Sequence, residues 1–143
     1  MKEVLITINS TQSLDGDSSA GPELITQGDY EYASDGARFS YMESELTGLT
    51  GTKTSFYIKP DEVVLSRRGT VNAQMVFRRG ERTNFGYRTA HGTLNVGLET
   101  RDFAITLDEH GGDIEIDYVL NFEQSFVSCN KFRINIRERD LKV

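Results

Sequence analysis

The sequence predicts an all-β fold, an antiparallel up-and-down β-barrel of about 10–11 strands. Apolar and polar residues alternate through most of the chain, as they do at Ile114, Ile116 and Tyr118. Turn signals interrupt this alternation at short intervals, and they read "SDG", "KPD", "RRG" and "EHGG". Apolar residues do not recur at helical spacing in any window of useful length. We therefore expect residues 1–143 to form a single barrel domain.

The predicted hairpins keep one apolar face in register, because residues that pair across a turn point to the same side of a sheet. Turns are expected near residues 60–61, 68–70, 79–81, 91–92, 109–112 and 123–125, and a further turn at Thr100 and Arg101. The expected pairs are Ile58 with Val63, Leu65 with Ala73, Phe85 with Leu98, Leu98 with Phe103, Leu107 with Ile114, Phe122 with Phe126 and, upstream, Phe39 with Ile58. A meander that buries one face for so long is expected to close, since closure removes the edge strands.

The net charge and the single cysteine limit which partners and which cellular compartment we expect for this protein. The formal net charge of −6 disfavours broad attraction to nucleic acids or anionic membranes. Cys129 is the single cysteine, which excludes an internal disulfide and fits a reducing compartment. The first residues, "MKEVLITINSTQ", lack the features of a signal peptide. We expect a cytoplasmic protein with no membrane association and no cofactor.

The segment "GTKT", residues 51–54, is the nearest approach to a phosphate-binding motif. A Walker loop places a glycine directly before its lysine and a helix after it. Here Thr52 precedes Lys53, and the following "SFYIKP" is typical of a strand. We interpret the segment as a turn between strands.

The inner face next to this turn is polar. Extending the register upstream sets Glu43 opposite Thr54, and the next strand places Arg67 beside Thr54. An inward charge is costly unless it is paired and hydrogen-bonded. Two interpretations remain open: a rim in water where Arg67 pairs with Glu43, or a cluster that orients a ligand. The candidate ligand-binding residues are Tyr41, Glu43, Glu45, Thr52, Thr54, Arg67 and Tyr87.

Three blocks of the sequence resemble a known family. They are "ESELTGLTGTKT", "GTVNAQMVFRRGERTNFGYRTAHGTLNVGLET" and "LDEHGGDIEIDYVLNFEQSFVSCNKFRINI". They are similar to the YwiB-like bacterial family of unknown function, which has a calycin, lipocalin-like β-barrel. The resemblance implies this fold but no reaction and no functional residues. Ligand carriage by other calycins is an analogy at the level of the fold.

Metal and catalytic patterns are weak. Asp15, Asp17 and Ser19 have the spacing of the first calcium ligands, but Ala20 stands where an EF-hand loop needs glycine. His91 and His110 fall in predicted turns, where we expect them to be exposed. We assign no metal site and no catalytic residue.

Arginines concentrate between residues 63 and 88. This segment contains six arginines and one glutamate, which gives it a local net charge of +5. Arg78 and Arg82 are expected to pair across one hairpin and to point outward, where like charges repel each other. With Arg88 they form a candidate partner surface. This surface could contact an acidic patch of a second copy, which would make the protein a homodimer; nucleic acid is a weaker candidate because of the overall charge.

Three functions remain open. The first is a binding module for a small, mostly apolar molecule with an anionic end, in which Arg67 meets the anion. The second is a structural or regulatory protein that acts through its outer arginines. The third and least favoured is a hydrolase that uses Glu43 and Glu45, since no other acid or base joins this pair. We expect a binding protein rather than an enzyme.

Overall fold

The computed structural model describes residues 2–14, 17–21, 23–44, 49–122 and 126–138. The regular elements in these ranges are β-strands: β1 (Lys2–Leu14), β2 (Asp17–Ala20), β3 (Leu24–Ala33), β4 (Gly36–Met42), β5 (Lys53–Lys59), β6 (Glu62–Arg68), β7 (Ala73–Phe77), β8 (Arg82–Thr89), β9 (Gly92–Asp108), β10 (Gly111–Phe122) and β11 (Phe126–Glu138). Across the same ranges, no helix has the length and apolar character needed to cross a membrane.

All strands belong to one antiparallel sheet that wraps into a nearly closed barrel. The strand order is β7-β6-β5-β4-β3-β1-β11-β10-β9-β8, and β2 pairs with the far part of β1. The strands β1 and β11 pair along most of their length, from Val4 opposite Glu138 to Leu14 opposite Ser128. The prediction of an up-and-down barrel is confirmed.

The barrel is least closed between β7 and β8, the two ends of the strand order. Among the described residues, one isolated bridge joins their neighbourhoods, between Asn72 and Arg88. The Thr83 hydroxyl adds a hydrogen bond of 3.0 Å to the Val76 carbonyl. We call this line of weak pairing the seam.

The observed registers agree with the sequence in part. The pairs Ile58–Val63 and Phe122–Phe126 are confirmed. Four expected pairs are wrong by two residues, and the structure instead pairs Leu65 with Met75, Phe85 with Val96, Ile105 with Ile114 and Phe39 with Phe56. A shift of two residues leaves every side chain on its original face, so the apolar pattern does not reveal the error.

The expected turn at Thr100 and Arg101 is wrong, because β9 continues through both residues. The register against β10 passes from Asp102 opposite Asp117 to Thr100 opposite Tyr118, so Arg101 is an extra residue. Such a β-bulge changes the phase of alternation by one residue, as a tight turn also does. Leu98 and Phe103 consequently both face the interior, although they are an odd number of residues apart and would lie on opposite faces of a regular strand.

Aromatic rings fill the middle of the barrel. Phe39 stacks on Phe56 with 4.6 Å between ring centroids. From the other wall, Tyr118 contacts Phe77 at 5.1 Å and Phe132 at 5.5 Å. Burying a side chain of this size stabilises the fold by about 1.5–3 kcal/mol. The centre is therefore packed rather than hollow.

Two ends of the barrel differ in their polar groups. The turns at residues 34–35, 60–61 and 109–110 lie at one end, with the start of β1 and the end of β11. We call it the clasp end, for the contacts of Lys2 with Glu138. The opposite end carries Glu43 and the loop 69–72, and we call it the cluster end. The Tyr30 hydroxyl donates to the Asp108 carbonyl at the clasp end, 2.7 Å away.

Candidate functional site

The polar cluster lies at the cluster end, where β4 leaves the sheet and β5 enters it. We define it by the side chains of Tyr41, Glu43, Thr52, Thr54 and Arg67. Thr54 pairs with Tyr41 on one side and with Arg67 on the other. The Glu43 amide donates to the Thr52 carbonyl at 2.8 Å, which sets Glu43 opposite Thr52 rather than opposite Thr54 as expected. The predicted residues nevertheless converge.

The Glu43 carboxylate is the centre of the cluster. The Thr54 hydroxyl donates to Glu43 Oε2 at 2.5 Å, and the Tyr41 hydroxyl also hydrogen-bonds this carboxylate. Arg67 Nε lies 3.8 Å from the same oxygen. Burial raises the pKa of Tyr41, and the nearby negative charge of Glu43 adds to the increase. Tyr41 therefore remains a neutral hydrogen-bond donor at physiological pH.

The cluster is buried, so the expected rim in water is wrong, whereas the pairing of Arg67 with Glu43 that the same interpretation predicted is present. Glu43 is 6% exposed, and both Thr52 and Thr54 are 0% exposed. The loop 69–72 supplies part of the cover, since the Val71 amide donates to the Thr52 hydroxyl at 3.3 Å. A buried carboxylate is tolerated when hydroxyl donors and a guanidinium compensate for its lost hydration, as they do here.

Arg67 is only partly satisfied. Its buried Nε has no hydrogen-bond acceptor among the residues that the structure describes, and its side chain keeps 19% of its exposure. Tyr118 lies close enough from the opposite wall to respond to this charge. Burial raises the pKa of Tyr118, and the positive charge of Arg67 opposes that increase. The guanidinium thus points into the interior between two walls of the barrel.

Two predicted residues have different outcomes. Tyr87 lies on β8, half-buried against the core. By the register of the seam bridge it faces Ala73, which pairs directly with Arg67. Glu45 lies outside the described residues, so the predicted pair of glutamates stays a prediction.

Interior-facing side chains of β8, β9, β10 and β11 at the cluster end form an apolar wall that is incompletely covered. Tyr87, Leu120, Phe122 and Phe132 pack against the core but remain partly exposed. Leu94 pairs with Tyr87 and is 39% exposed. These interior-facing side chains therefore keep contact with solvent. The cluster end therefore combines an accessible apolar wall with a buried charged cluster.

Sequence reasoning did not include Tyr118 among the candidate site residues, although its ring contacts the aromatic centre and its pKa responds to the charge of Arg67. It also missed Thr100, whose hydroxyl is buried without a hydrogen-bond partner in the described part of the chain. The register pairs Thr100 with Tyr118. Recognising the bulge would have placed Thr100 in the interior, because the phase of β9 depends on it.

Some arginines at the predicted partner surface form ion pairs within the protein, which was not expected. Arg78 pairs with Glu62 at 2.6 Å instead of facing Arg82 without compensation. Arg79 pairs with Asp102 at 2.7 Å and lies 4.2 Å from the centroid of the Phe103 ring. The Arg79 guanidinium also lowers the pKa of Asp102. Arg82 and Arg88 are exposed on β8, beside the seam.

The segment "GTKT" leads from the turn at residues 50–51 into β5, so it lies at a corner between strands, as interpreted. Gly51 has a positive φ of 89°, and the Thr52 amide donates to the Leu49 carbonyl at 3.0 Å. Lys53 begins β5 with an exposed side chain. His91 and His110 are exposed at turns, as expected. No group of three or more His, Cys, Asp or Glu side chains in the described ranges could hold a metal ion.

The fold and this site define a class of protein: a small antiparallel β-barrel with a charged cluster inside one end. The profile of a domain of unknown function, DUF1934, matches residues 6–134. The chain therefore belongs to this family, and the resemblance to the YwiB-like family is confirmed.

One solved structure similar to this chain is that of the ywiB protein from Bacillus subtilis. It has a TM-score of 0.86 and 24% sequence identity, and the match covers 97% of this chain and 93% of that one. At this identity the likeness shows the fold. No curated protein matches the chain.

Proposed function

We propose that this protein binds a small, mostly apolar molecule with an anionic end inside the cluster end of the barrel. One observation carries the proposal: the buried Nε of Arg67 lacks an acceptor among the described residues. An unsatisfied buried donor costs free energy, so such a group in a native protein needs an explanation. A ligand oxygen that accepts from Arg67 would supply one.

The internal carboxylate leaves room for this ligand. Glu43 is held by the hydroxyls of Thr54 and Tyr41, and its 3.8 Å distance from Arg67 Nε is longer than a charge-assisted hydrogen bond of about 2.7–2.9 Å. The planar guanidinium suits a carboxylate, because it can donate two parallel hydrogen bonds. The anionic end of the ligand would thus meet Arg67.

The body of the ligand would lie on the apolar wall. Tyr87, Leu120 and Phe132 are partly exposed interior side chains, and a ligand that covers them gains free energy from their burial. The packed aromatic centre limits the depth of the site. A molecule that lies along the wall with its charge toward Arg67 is therefore favoured over a long chain that passes through the barrel.

Binding of decanoate, compared with binding of decanol, tests this function. Both probes have the same apolar body, and only decanoate has an anionic end. We expect decanoate to bind about tenfold more tightly in isothermal titration calorimetry, because Arg67 adds a charge-assisted hydrogen bond. Arg67→Gln should remove this difference, whereas Arg68→Gln, on the next residue and the outer face, should preserve it.

A second variant keeps the test independent of folding. Glu43→Gln retains the shape of the side chain but removes a negative charge beside the proposed anion. We expect decanoate to bind more tightly to this variant than to the wild type. Equal affinity for both probes in the wild type, or an unchanged preference in Arg67→Gln, would contradict the proposal.

An interaction barrel is the second candidate, favoured by the exposed arginines of β8. Neither Arg82 nor Arg88 lies within ion-pair distance of a carboxylate in the described ranges, although Glu99 is opposite Arg82 in the β8–β9 register. They could contact an acidic patch on a second copy. Sedimentation velocity on Arg82→Glu with Arg88→Glu tests this homodimer: a shift of the wild-type species toward the monomer supports it, and an unchanged monomer opposes it.

A cytoplasmic location also belongs to the proposal. Cys129 is an exposed free thiol, which suits a reducing compartment. We propose no hydrolytic role, because hydroxyl donors and Arg67 already engage the Glu43 carboxylate.

A further inference from the structure

A groove of about 440 Å³ crosses the outer wall of the barrel over β5, β6 and β7. Its lining residues are Lys53, Ser55, Tyr57, Lys59, Val64, Ser66, Arg68 and Gln74. These side chains lie on the face opposite to the polar cluster, because Thr54 and Arg67 alternate with them on the same strands. The groove is therefore separate from the interior site.

Two like charges meet at one end of the groove. Lys53 and Arg68 are directly opposite each other in the β5–β6 register, and both are exposed. Neither lies within ion-pair distance of a carboxylate among the residues that the structure describes. Like charges in this position destabilise a sheet unless an anion lies between them. Elsewhere on the outer wall, Arg38 pairs with Glu31 at 2.6 Å, whereas Arg82 and Arg88 lack such a partner in the described ranges, as Lys53 and Arg68 do.

Neutral hydrogen-bonding groups continue the groove next to this pair. Ser55 is opposite Ser66, and Ser66 is opposite Gln74 on the following strand. Two hydroxyls and an amide beside two cations match the needs of a phosphate group, whose oxygens accept several strong hydrogen bonds. The lining of the groove contains no acidic side chain.

An aromatic side chain lies further along the same groove. Tyr57 is 42% exposed, and its Cα lies about 13 Å from that of Lys53, four residues away at the rise of a β-strand. The Arg38 guanidinium lies over one face of its ring, 6.0 Å from the centroid, which leaves the other face for a ligand. Exposed aromatic faces stack on the flat rings of nucleobases. The groove thus presents Lys53 and Arg68 at one end, Tyr57 further along, and Lys59 beyond it.

We propose that this outer groove binds a phosphorylated small molecule of mononucleotide size. The phosphate lies between Lys53 and Arg68, and a flat ring rests on Tyr57. This arrangement differs from a Walker loop, because the lysine of "GTKT" acts from a strand surface together with an arginine of the next strand. It goes beyond the interior site and does not depend on it.

Titration of the isotopically labelled protein with adenosine monophosphate, inorganic phosphate and adenosine tests the proposal by NMR. We expect adenosine monophosphate and phosphate to shift the amide resonances of Lys53, Ser66 and Arg68, and adenosine to leave these resonances unchanged at the same concentration. The double variant Lys53→Gln with Arg68→Gln should weaken adenosine monophosphate binding by about tenfold or more. The control pair Arg82→Gln with Arg88→Gln, also two exposed cations, should bind like the wild type.

Tyr57→Ala separates the two parts of the ligand. We expect it to weaken binding of adenosine monophosphate and to leave inorganic phosphate unaffected. The proposal is overturned if neither phosphate compound shifts these resonances, or if the Lys53 and Arg68 double variant binds as the wild type does. Loss of binding in Arg67→Gln but not in that double variant would also overturn it, since the phosphate would then occupy the interior.

Discussion

The two ends of the barrel place similar charged groups in opposite environments. At the cluster end, the side chains of Glu43 and Arg67 are 1% and 19% exposed. At the clasp end, the side chains of Lys2 and Glu138 are 47% and 42% exposed, although their ion pair is shorter, at 2.6 Å. His110 adds a contact of 3.0 Å to the same glutamate and is 66% exposed.

This difference shows that distance alone does not rank ion pairs. Water and salt screen the short contacts of the clasp end, and ordering two long side chains offsets part of their attraction. The longer contact at the cluster end acts with little screening, and each partner would be costly if it were left alone. We infer that the clasp end mainly joins strand ends, whereas the cluster end holds charge where a ligand can use it.

The largest expected effect is that of Glu43→Ala. Removing this carboxylate leaves Arg67 without its ionic partner and two hydroxyls without their acceptor. We expect the free energy of unfolding to fall by about 3–5 kcal/mol, measured by urea denaturation. Glu138→Ala at the clasp end is the matched control and should have a much smaller effect. Equal losses for both variants would remove the distinction between the ends.

Glycine substitutions sharpen the comparison at the level of the loops. Gly69, at the cluster end, has φ of 144°, and an added Cβ would lie 2.2 Å from the Gly51 carbonyl oxygen. Gly80, at the clasp end, has φ of 74° and no atom within 4 Å of such a Cβ. We expect Gly69→Ala to destabilise the protein by about 2–3 kcal/mol and Gly80→Ala by ~1 kcal/mol. Thermal denaturation of both variants measures the order, and a reversed order would contradict the close contact between loops 69–72 and 49–52.

The smallest expected effect is the pH dependence of the clasp. The hydrogen bond to Glu138 raises the pKa of His110 above 6.5. The protonated ring therefore contributes its full stabilisation below pH 6.5, and this contribution is lost as the pH rises through the raised pKa. Hydrogen bonds from Lys2 and then His110 lower the pKa of Glu138 below 4.5, so its contribution is present above pH 4.5 and is lost as the pH falls through the lowered value.

Melting temperatures of the wild type and His110→Asn, measured across this range, test the clasp. The wild type should exceed the variant between the lowered pKa of Glu138 and the raised pKa of His110, and the difference should shrink above the latter. A constant difference at all pH values would indicate that His110 acts through packing rather than charge.

Much of the fold could be predicted because the apolar face has a period of two. The predicted register of the hairpin around residues 60–61 is confirmed. The same register sets Lys53 opposite Arg68, so this pair of cations on the outer face could have been predicted. Loop lengths were harder to predict from the sequence, because a register shift of two residues keeps Leu65 and Phe85 on the inner face. The bulge at Arg101 was hidden for a related reason, since a turn there produces the same inward pattern.

The burial of the site was the part that sequence could not predict. Glu43 is expected in water if only β4 and β5 are considered. Its burial depends on the loop 69–72, which contacts Thr52 and Thr50 from another hairpin. Such cover is a tertiary contact with no local sequence signal. The composition of the cluster was therefore predictable, but its environment was not.

Native mass spectrometry of protein purified gently from its own host tests the central claim most directly. The mass of the folded protein is compared with its mass after denaturation, for the wild type and for Arg67→Gln. Our account predicts that the wild type releases a small acidic molecule with an apolar body and that Arg67→Gln carries less of it. A wild-type protein with only the mass of the bare chain, or equal loading of Arg67→Gln, would contradict it.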